Sequence, residues 1–417
     1  MKETIKLPPK IAYFQDYNFG LHYNMNILFL LRSLDIGGLE VVTAELANYF
    51  VSKGHHVSVF AFEKRSGKIV ERFGKDVEIT IAGTYRKTKE NVTLLRQLLI
   101  GKKIDAVINQ WGLPLTPIKT LCDAKRGLDV RVISVYHNDP LQNGRIQSVE
   151  MQQTKTENLL MKTILGCKKL AFRVITGSAM RYIYRKSDVF EVLSPSFVSH
   201  FQQYTWLKET SKLMVQTNPI TIDIDGFEYR SEEKRKEIIY VGRVDYSQKR
   251  VFRVIETWAQ LESCFPEWQL TIVGDGEERE NIEHMVRDLE LKHVNFEGFQ
   301  APRSYYERAS ILVLTSEFEG FPLVLAECMS FGVVPAVYGS YSAVYDIIED
   351  GVDGIIIPKA PEGFNAAIMA GKMKDVMSDN DKRNRMALAA IEKSKNYSID
   401  KIYEQWLEIL HKVVKNG

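Results

Sequence analysis

Two glutamates eight positions apart, Glu319 and Glu327, have the spacing that most directly suggests chemistry. They follow the apolar run Ile311–Leu314, which has the length of a buried strand, and Pro322 suits the first turn of a following helix. The free N–H groups of such a helix N-terminus favour a phosphate or a sugar hydroxyl. An isolated pair of this kind is more simply explained as one loop carboxylate and one solvated helix carboxylate, so its meaning depends on context.

A second group of polar residues follows the apolar run Ile238–Val241. Gly242 permits a tight turn where that strand ends, and Arg243 and Lys249 place two cations in one loop, where they can converge on one anion. Each cation taken singly is an ordinary surface residue. Their position relative to Glu319 favours a binding site.

Three weaker signals also lie where predicted strands end. Gly37 and Gly38 precede an amphipathic helix and let backbone N–H groups approach a ligand closely. His137 follows the run Val130–Tyr136, where a lone histidine is usually structural. Gly274 begins a G-x-G turn that falls short of a full dinucleotide-binding fingerprint.

Together these segments resemble the retaining glycosyltransferases of family 4, whose two-domain GT-B fold carries the E-x7-E motif in its second domain. The resemblance covers nearly the whole chain. It implies that Glu319 contacts the hydroxyl groups of the donor sugar and that Glu327 binds the ribose of the nucleotide. It also implies that Arg243 and Lys249 hold the donor pyrophosphate and that His137 reaches the transferred sugar.

The same resemblance implies a nucleotide-diphosphate sugar, with UDP-sugar expected, as a substrate and no resident cofactor. The acceptor is expected to be a saccharide or a lipid-linked saccharide of surface polysaccharide or glycolipid synthesis, attacked with retention of configuration. No metal is expected, since the D-x-D segment Asp223–Asp225 lies between the domains and the two loop cations make a metal unnecessary. Further donor contacts are implied at Gly37, Gly38, Gly242, Gly274, Gly320, Phe321, Pro322 and Leu323.

Apolar runs that alternate with helix-length amphipathic stretches must position these residues. The predicted strands are 26–31, 56–62, 77–81, 106–109, 130–136 and 189–193, then 238–241, 270–273, 293–296, 311–314, 333–336 and 354–357. This alternation predicts an α/β fold with two doubly wound Rossmann-like domains facing a central cleft. Ligands bind outside the carboxyl ends of such strands, where the motifs lie.

The expected divisions are an acceptor-binding domain over 1–216, a nucleotide-sugar-binding domain over 217–396, and a C-terminal helix over 397–417 that packs back on the first domain. Residues 1–24 precede the segment of resemblance. They are open to three interpretations: an added strand-like segment, a partner-binding arm or an upstream start artefact.

Composition predicts a cytoplasmic location. No apolar run approaches the roughly 18 residues that span a bilayer, and the N-terminal segment lacks the apolar region of a signal peptide. Four widely separated cysteines are typical of reduced thiols. Residues 1–210 hold 30 Lys and Arg against 19 Asp and Glu, so the first half of the chain is basic.

The segment Lys155–Lys186 concentrates this basic charge and interleaves it with apolar residues. One interpretation places it on an anionic bilayer, as a peripheral protein on the inner face of the cell membrane. The other is a helix whose apolar face packs on the sheet and whose charges are solvated. No nucleic-acid-binding module is evident.

Two rival functions stay open at this point. A nucleotide-sugar epimerase of the same architecture would consume a donor without an acceptor, and a catalytically silent subunit would bind a glycan or a partner enzyme. The sequence departs from the family at Cys328, where Ala is frequent, and at Asp346, where many members have Glu.

Overall fold

A computed structural model describes residues 24–35, 37–65, 67–142 and 144–415. The interpretations of residues 1–24 therefore fall outside the described residues, apart from Asn24. Two fully parallel sheets with helices packed around them form the framework, and this confirms the predicted α/β fold class.

The first sheet has seven strands in the order β3-β2-β1-β4-β5-β6-β7. Its central strands are almost entirely buried, since helices cover both faces of the sheet, and they therefore appear as continuous apolar runs in the sequence. The short edge strand β7 is only partly buried and was not predicted. The strands are β1 Asn26–Leu34, β2 His56–Lys64, β3 Glu78–Ile81, β4 Ala106–Asn109, β5 Arg131–Tyr136, β6 Val189–Val192 and β7 Leu213–Val215.

Six α-helices accompany the first sheet in the described part of the chain. The basic segment Lys155–Lys186 begins at the last residue of α4, and Leu159–Lys186 within it forms α5, the longest of the six helices. The helices are α1 Gly38–Ser52, α2 Lys89–Gly101, α3 Leu115–Ala124, α4 Gly144–Lys155, α5 Leu159–Lys186 and α6 Ser196–Thr205.

The second sheet has six strands in the order β10-β9-β8-β11-β12-β13. They are β8 Glu237–Val241, β9 Gln269–Val273, β10 Val294–Gly298, β11 Ile311–Leu314, β12 Val334–Gly339 and β13 Ile355–Pro358. The remaining helices are α7 Phe252–Ala259, α8 Arg279–Asp288, α9 Arg303–Arg308, α10 Leu323–Ser330, α11 Ala343–Ile347, α12 Ala366–Ser378, α13 Asn380–Ser394 and α14 Ile399–Lys415.

The last helix, α14, returns to the first sheet and lies against α1. Tyr403 on α14 places its hydroxyl 2.9 Å from Nε2 of His55, and its ring centre lies 5.3 Å from that of Tyr49. The two segments that cross between the sheets are joined by a hydrogen bond of 2.8 Å from the Ile220 N–H to the Tyr397 carbonyl. These contacts connect the two sheets.

The carboxyl edges of the two sheets face each other and form a cleft. We call its sides the first-sheet wall, made by the loops after β1, β3, β4 and β5, and the second-sheet wall, made by the loops after β8, β9, β11 and β12. A β-carbon built on Gly320 would lie 1.9 Å from the carbonyl oxygen of His137, and one on Gly38 would lie 3.5 Å from Leu323. The two walls are therefore in contact beside the E-x7-E segment.

No helix in the described ranges is long and apolar enough to cross a membrane.

Candidate active site

Glu319 and Lys249 form a close ion pair on the second-sheet wall. The Lys249 ammonium donates to Oε1 of Glu319 at 2.6 Å, and Gln248 donates to Oε2 of the same carboxylate at 3.2 Å. Both members of the ion pair are largely buried. The loop after β8 and the loop after β11 are thus joined by charge-assisted hydrogen bonds, which fix the Glu319 carboxylate in one orientation.

Asp245 sets the shape of the loop that carries the two predicted cations. Its Oδ1 accepts from the backbone N–H groups of Gln248 at 2.7 Å and Lys249 at 3.1 Å, and its Oδ2 accepts from Nε of Arg243 at 2.8 Å. Burial alone would raise the pKa of Asp245, but these donors outweigh it and lower the pKa below its usual value. The loop therefore keeps an ionised carboxylate at its centre.

Arg243 is the most exposed member of this group, with 63% of its side chain accessible. Its second terminal nitrogen donates to Oε1 of Gln248 at 3.2 Å. Gln248 consequently bridges Arg243 and Glu319, and the structure brings the two predicted cations and the first predicted glutamate into one hydrogen-bonded group.

Glu327 lies apart from that group, on the buried face of α10. Its Oε1 accepts from the Thr221 hydroxyl at 2.6 Å and its Oε2 from the Tyr306 hydroxyl at 3.3 Å. Burial raises the pKa of Glu327, although both hydroxyl groups oppose the rise. This carboxylate is therefore a buried hydrogen-bond acceptor and not a solvated helix residue.

The segment between the two glutamates leads into the N-terminus of α10. Pro322 precedes the first helical residue in an extended conformation, one position earlier than predicted, and Leu323 begins the helix opposite Gly38. The ring of Phe321 is buried and meets that of Tyr397 edge-on, with centres 5.3 Å apart. The helix terminus thus lies at the contact between the two walls.

Two glycine turns pack against each other on the second-sheet wall. A β-carbon on Gly274 would lie 1.8 Å from the carbonyl oxygen of Gly242, and one on Gly276 would lie 2.2 Å from that of Val244. The Val244 N–H also donates to the Asp275 carbonyl at 2.9 Å. The G-x-G pattern is therefore required for close packing of the turns after β8 and β9.

His137 forms the part of the first-sheet wall that touches Gly320. Its Nε2 lies 2.7 Å from Oε1 of Gln110, and the side chain is partly exposed. Burial of the ring lowers the pKa of His137 to about 4. The imidazole is consequently neutral at physiological pH and offers hydrogen bonding without a charge.

Gly37 and Gly38 begin α1 next to a buried carboxyl group. A β-carbon on Gly37 would lie 2.6 Å from Oε2 of Glu40, so the carboxyl group folds back over the glycine. Burial raises the pKa of Glu40 to about 7. The start of this helix is therefore less negative than the sequence indicates.

Two carboxylates whose roles were left open by the sequence have structural partners. Asp346 accepts from the Ser194 hydroxyl and, at 3.1 Å, from the backbone N–H of Ser196, so it joins α11 to the start of α6 across the cleft. Asp223 lies 3.2 Å from Arg303 and accepts from the backbone N–H of Asp225. Within the described ranges, no group of three or more His, Cys, Asp or Glu is arranged to hold a metal ion.

Sequence reasoning missed several residues that line or support the site. Gln248, Thr221 and Tyr306 hold the two glutamates, and Gln110 holds His137. Tyr341 is buried beside Glu319, and its hydroxyl has no hydrogen-bond partner among the residues with described positions. The proximity of Gln248 to the two loop cations was the one available signal, since it lies in the same short loop.

Comparison with known proteins agrees with the resemblance seen in the motifs. The family model described as Glycosyltransferase Family 4 matches residues 36–223, and the model described as Glycosyl transferases group 1 matches residues 222–393. The two matches meet between the two sheets; the first covers β2 to β7 and the second covers β8 to β13.

One relative is the GalNAc-α-(1→4)-GalNAc-α-(1→3)-diNAcBac-PP-undecaprenol α-1,4-N-acetyl-D-galactosaminyltransferase of Campylobacter jejuni. It is 25% identical over 400 residues, which are 93% of this chain and 99% of the relative. The lipopolysaccharide 1,6-galactosyltransferase of Salmonella typhimurium is 32% identical over 160 residues, which are 36% of this chain and 44% of that protein.

Among solved structures, HepE of Anabaena in complex with UDP and glucose superposes with a TM-score of 0.70 at 16% identity. The match covers 93% of this chain and 99% of that structure. The lipopolysaccharide outer core galactosyltransferase WaaB gives a TM-score of 0.66 at 18% identity over the same shares of the two chains. The chain is therefore a glycosyltransferase of the GT-B fold, with a family 4 domain followed by a group 1 domain.

Proposed function

We propose that this glycosyltransferase moves a sugar from a UDP-sugar to a saccharide or lipid-linked saccharide, with retention of the anomeric configuration. The observation that carries the proposal is the hydrogen-bonded group of Arg243, Gln248, Lys249 and Glu319 at the N-terminus of α10. In this proposal residues 1–216 bind the acceptor, residues 217–396 bind the donor, and residues 397–417 join the two domains.

The roles of the individual residues follow from their positions. Arg243 and Lys249 hold the donor diphosphate, Glu319 orients the hydroxyl groups of the transferred sugar, and Glu327 accepts from the ribose. The His137 carbonyl lies against Gly320. The neutral imidazole of His137 donates a hydrogen bond to the transferred sugar or accepts one from it. The glycines Gly37, Gly38, Gly242, Gly274 and Gly320, with Phe321, Pro322 and Leu323, shape the backbone around the donor.

In the transfer step the bond between the anomeric carbon and the diphosphate oxygen breaks, and a bond to the acceptor oxygen forms on the same face. The acceptor proton passes to the departing diphosphate oxygen. Lys249 and Arg243 offset the charge that develops on the leaving group, a kind of stabilisation that is commonly the largest catalytic term. Glu327 is held by Thr221 and Tyr306, which supports a binding role and not that of a nucleophile.

The donor and acceptor classes have support from the relatives. The name of the Campylobacter relative specifies an acceptor linked through a diphosphate to undecaprenol, and the HepE structure contains UDP. A UDP-sugar and an acceptor carried on a lipid diphosphate are therefore the substrates we propose for this chain.

Thermal unfolding in the presence of UDP-, GDP-, ADP- and TDP-sugars tests the donor class. A ligand at 100 times its dissociation constant adds about 2.7 kcal/mol of stability, so UDP-sugars should raise the unfolding temperature and the others should not. NMR of the transferred product then reports the anomeric configuration. Stabilisation by another nucleotide class alone contradicts the UDP proposal, and isomerisation of the donor without an acceptor supports an epimerase instead.

We also propose that α5 contacts an anionic membrane surface. Leu160, Ile164, Leu170 and Val174 are exposed along one face of this helix, with Leu160 71% and Leu170 62% accessible. The helix carries Lys or Arg at seven positions and no Asp or Glu. An apolar strip flanked by cations fits the interface of an anionic bilayer, where each cation adds about 1 kcal/mol.

Sedimentation with vesicles tests this surface. The protein should sediment with vesicles of equal phosphatidylglycerol and phosphatidylcholine and stay in solution with phosphatidylcholine alone. Ile164→Glu should abolish sedimentation, whereas Leu388→Glu, at a residue of similar exposure on α13, should not. Pairing of two copies through α5, seen as a dimer in light scattering that Ile164→Glu dissociates, contradicts the membrane proposal.

A further inference from the structure

An arginine held between two aromatic rings lies on the first-sheet wall. The guanidinium carbon of Arg32, on β1, is 4.7 Å from the ring centre of Tyr85 and 5.7 Å from that of Trp111. Tyr85 lies in the loop after β3, and Trp111 lies two residues beyond β4, the strand next to β1. The loops after β3 and β4 therefore fix one cation near the carboxyl end of β1.

This cation has no partner within the described part of the chain. No carboxylate pairs with Arg32, and its Nε is buried beside the rings without a hydrogen-bond acceptor. The terminal nitrogens are not among the buried unpaired atoms, and the residue is partly exposed. The nearby carboxylate of Glu63 is occupied by Arg65 and by the backbone N–H of Tyr85. The outer edge of the guanidinium is consequently available to a ligand.

The stacked arginine is connected to the proposed donor site. Trp111 directly follows Gln110, which holds Nε2 of His137, and the His137 carbonyl is where Gly320 packs. A continuous row of residues thus leads along the first-sheet wall from the donor side to Arg32.

Arg243, Lys249 and Arg253, on the other side of the cleft, differ in one respect, because each of these three already has a carboxylate. Lys249 lies 2.6 Å from Glu319, and Arg253 lies 2.8 Å from Glu317. A guanidinium without such a partner offers full charge to an incoming anion, and its planar fork matches phosphate oxygens two at a time. Stacking on both rings also limits the side-chain freedom that binding would otherwise remove.

We propose that Arg32, held by Tyr85 and Trp111, binds a phosphate or diphosphate group of the acceptor. This rests on the proposed function, since it assigns the acceptor's anionic group to the first domain and the donor diphosphate to the second. A lipid-linked diphosphate has a group for each surface: its diphosphate suits Arg32, and its lipid suits the basic, apolar surface of α5 in the same domain.

Titration calorimetry with UDP at saturation tests the site, because UDP then occupies the donor side. The probes are farnesyl diphosphate below its micelle concentration, farnesol and inorganic diphosphate. Farnesyl diphosphate should bind with UDP present, and farnesol should bind at least about 10-fold more weakly, since hydrogen bonds to charged groups supply about 1.5–3 kcal/mol. Inorganic diphosphate binding as tightly as the farnesyl ester shows that the lipid contributes nothing and overturns the lipid-linked form of the proposal.

Arg32→Gln should weaken farnesyl diphosphate binding about 10- to 100-fold. The affinity of Arg32→Lys should lie between that of the unaltered protein and that of Arg32→Gln. The matched control is Arg131→Gln. Arg131 is a partly buried arginine at the amino-terminal end of β5, so it lies at the end of the same sheet that faces away from the cleft. Thermal unfolding establishes that each variant is folded, and Trp111→Phe, which keeps a ring beside the guanidinium, provides a second variant with a smaller expected loss.

Three results overturn the proposal: no binding of farnesyl diphosphate by the unaltered protein, equal affinity in Arg32→Gln, or a comparable loss of UDP affinity in that variant. The last result would assign Arg32 to the donor diphosphate. Failure of the unaltered protein to bind UDP contradicts the proposed donor instead, and the farnesyl diphosphate titration without UDP then still reports on Arg32.

Discussion

The two walls of the cleft differ in how their charged groups are paired. On the second-sheet wall Arg243, Lys249 and Arg253 are each paired with a carboxylate at 2.6–2.8 Å, so cations and anions are held in fixed positions before a ligand arrives. On the first-sheet wall His137 is neutral because burial lowers its pKa to about 4, and Arg32 has no carboxylate partner among the residues that the structure describes.

The difference shows how two sheets of the same topology can serve different ligands. An anion that binds Arg243, Lys249 or Arg253 must share an existing ion pair, which favours a ligand that also supplies hydroxyl groups to Glu319. An anion that binds Arg32 displaces no carboxylate. Preorganised charge suits a leaving group whose charge develops during the reaction, whereas an unpaired cation suits a group that keeps its charge throughout.

Removing the cation of the closest ion pair should have the largest effect. Lys249→Ala takes away a donor to the leaving diphosphate and leaves Glu319 without its cation, so we expect transfer to fall by about 100-fold or more. Initial rates with a UDP-sugar measure the loss. Lys372→Ala, which removes a surface ion pair on α12, is the control and should keep full activity. Unchanged transfer in Lys249→Ala contradicts the diphosphate role.

The contact between the walls can be tested at Gly320. Alanine there places a β-carbon 1.9 Å from the His137 carbonyl, so the walls must separate. Because misplacement by about 1 Å can cost up to about 100-fold, kcat should fall strongly while UDP affinity changes little. Gly371→Ala, on α12 with no atom within 4 Å of the new carbon, should behave like the unaltered protein. Normal kcat in Gly320→Ala means that the contact is not needed for transfer.

Glu327 tests whether the buried carboxylate serves the nucleotide. Glu327→Gln should weaken UDP binding by about 10-fold, since a hydrogen bond to a charged group is replaced by one to a neutral amide. Burial raises the pKa of Glu327, so UDP affinity of the unaltered protein should fall as the pH drops, beginning above the usual carboxyl range. Calorimetry from pH 8 to pH 5 measures both effects, and the exposed Glu392→Gln is the control. A pH response that persists in Glu327→Gln assigns it to another group.

Substitution of Glu40 should give the smallest effect, and we expect it in thermal stability. Its folded-state pKa of about 7 exceeds the usual glutamate value of 4.5, so the folded protein binds this proton more tightly than the unfolded chain. The stabilisation of the folded protein by this bound proton is complete below pH 4.5 and is lost as the pH rises through 7. Glu40→Gln resembles the protonated form and should raise the unfolding temperature by about 2 °C at pH 8 and not at pH 4.5. Equal shifts at both pH values, or the same gain in the exposed Glu404→Gln, exclude this explanation.

The sequence by itself determined the two parallel sheets, the strand-end positions of the motifs and the family. Buried parallel strands require apolar runs, and tight turns require glycine, so local composition records both. Gly242 and Gly274 follow strands as predicted, and Glu319 follows β11. Helical periodicity likewise indicated α14, which was expected to pack back on the first domain and lies against α1.

Only the tertiary structure decided which residues meet. Thr221 holds Glu327 from 106 positions away, and Asp346 reaches Ser196 from 150. The stacking of Arg32 between Tyr85 and Trp111 joins a strand and two loops that no local pattern relates. The pairing of Lys249 with Glu319 also came from the fold, because two loops 70 positions apart are brought together only when β8 and β11 lie side by side. Neighbouring strands in a doubly wound sheet are distant in sequence, so charge pairing and burial at their ends are properties of the assembled sheet.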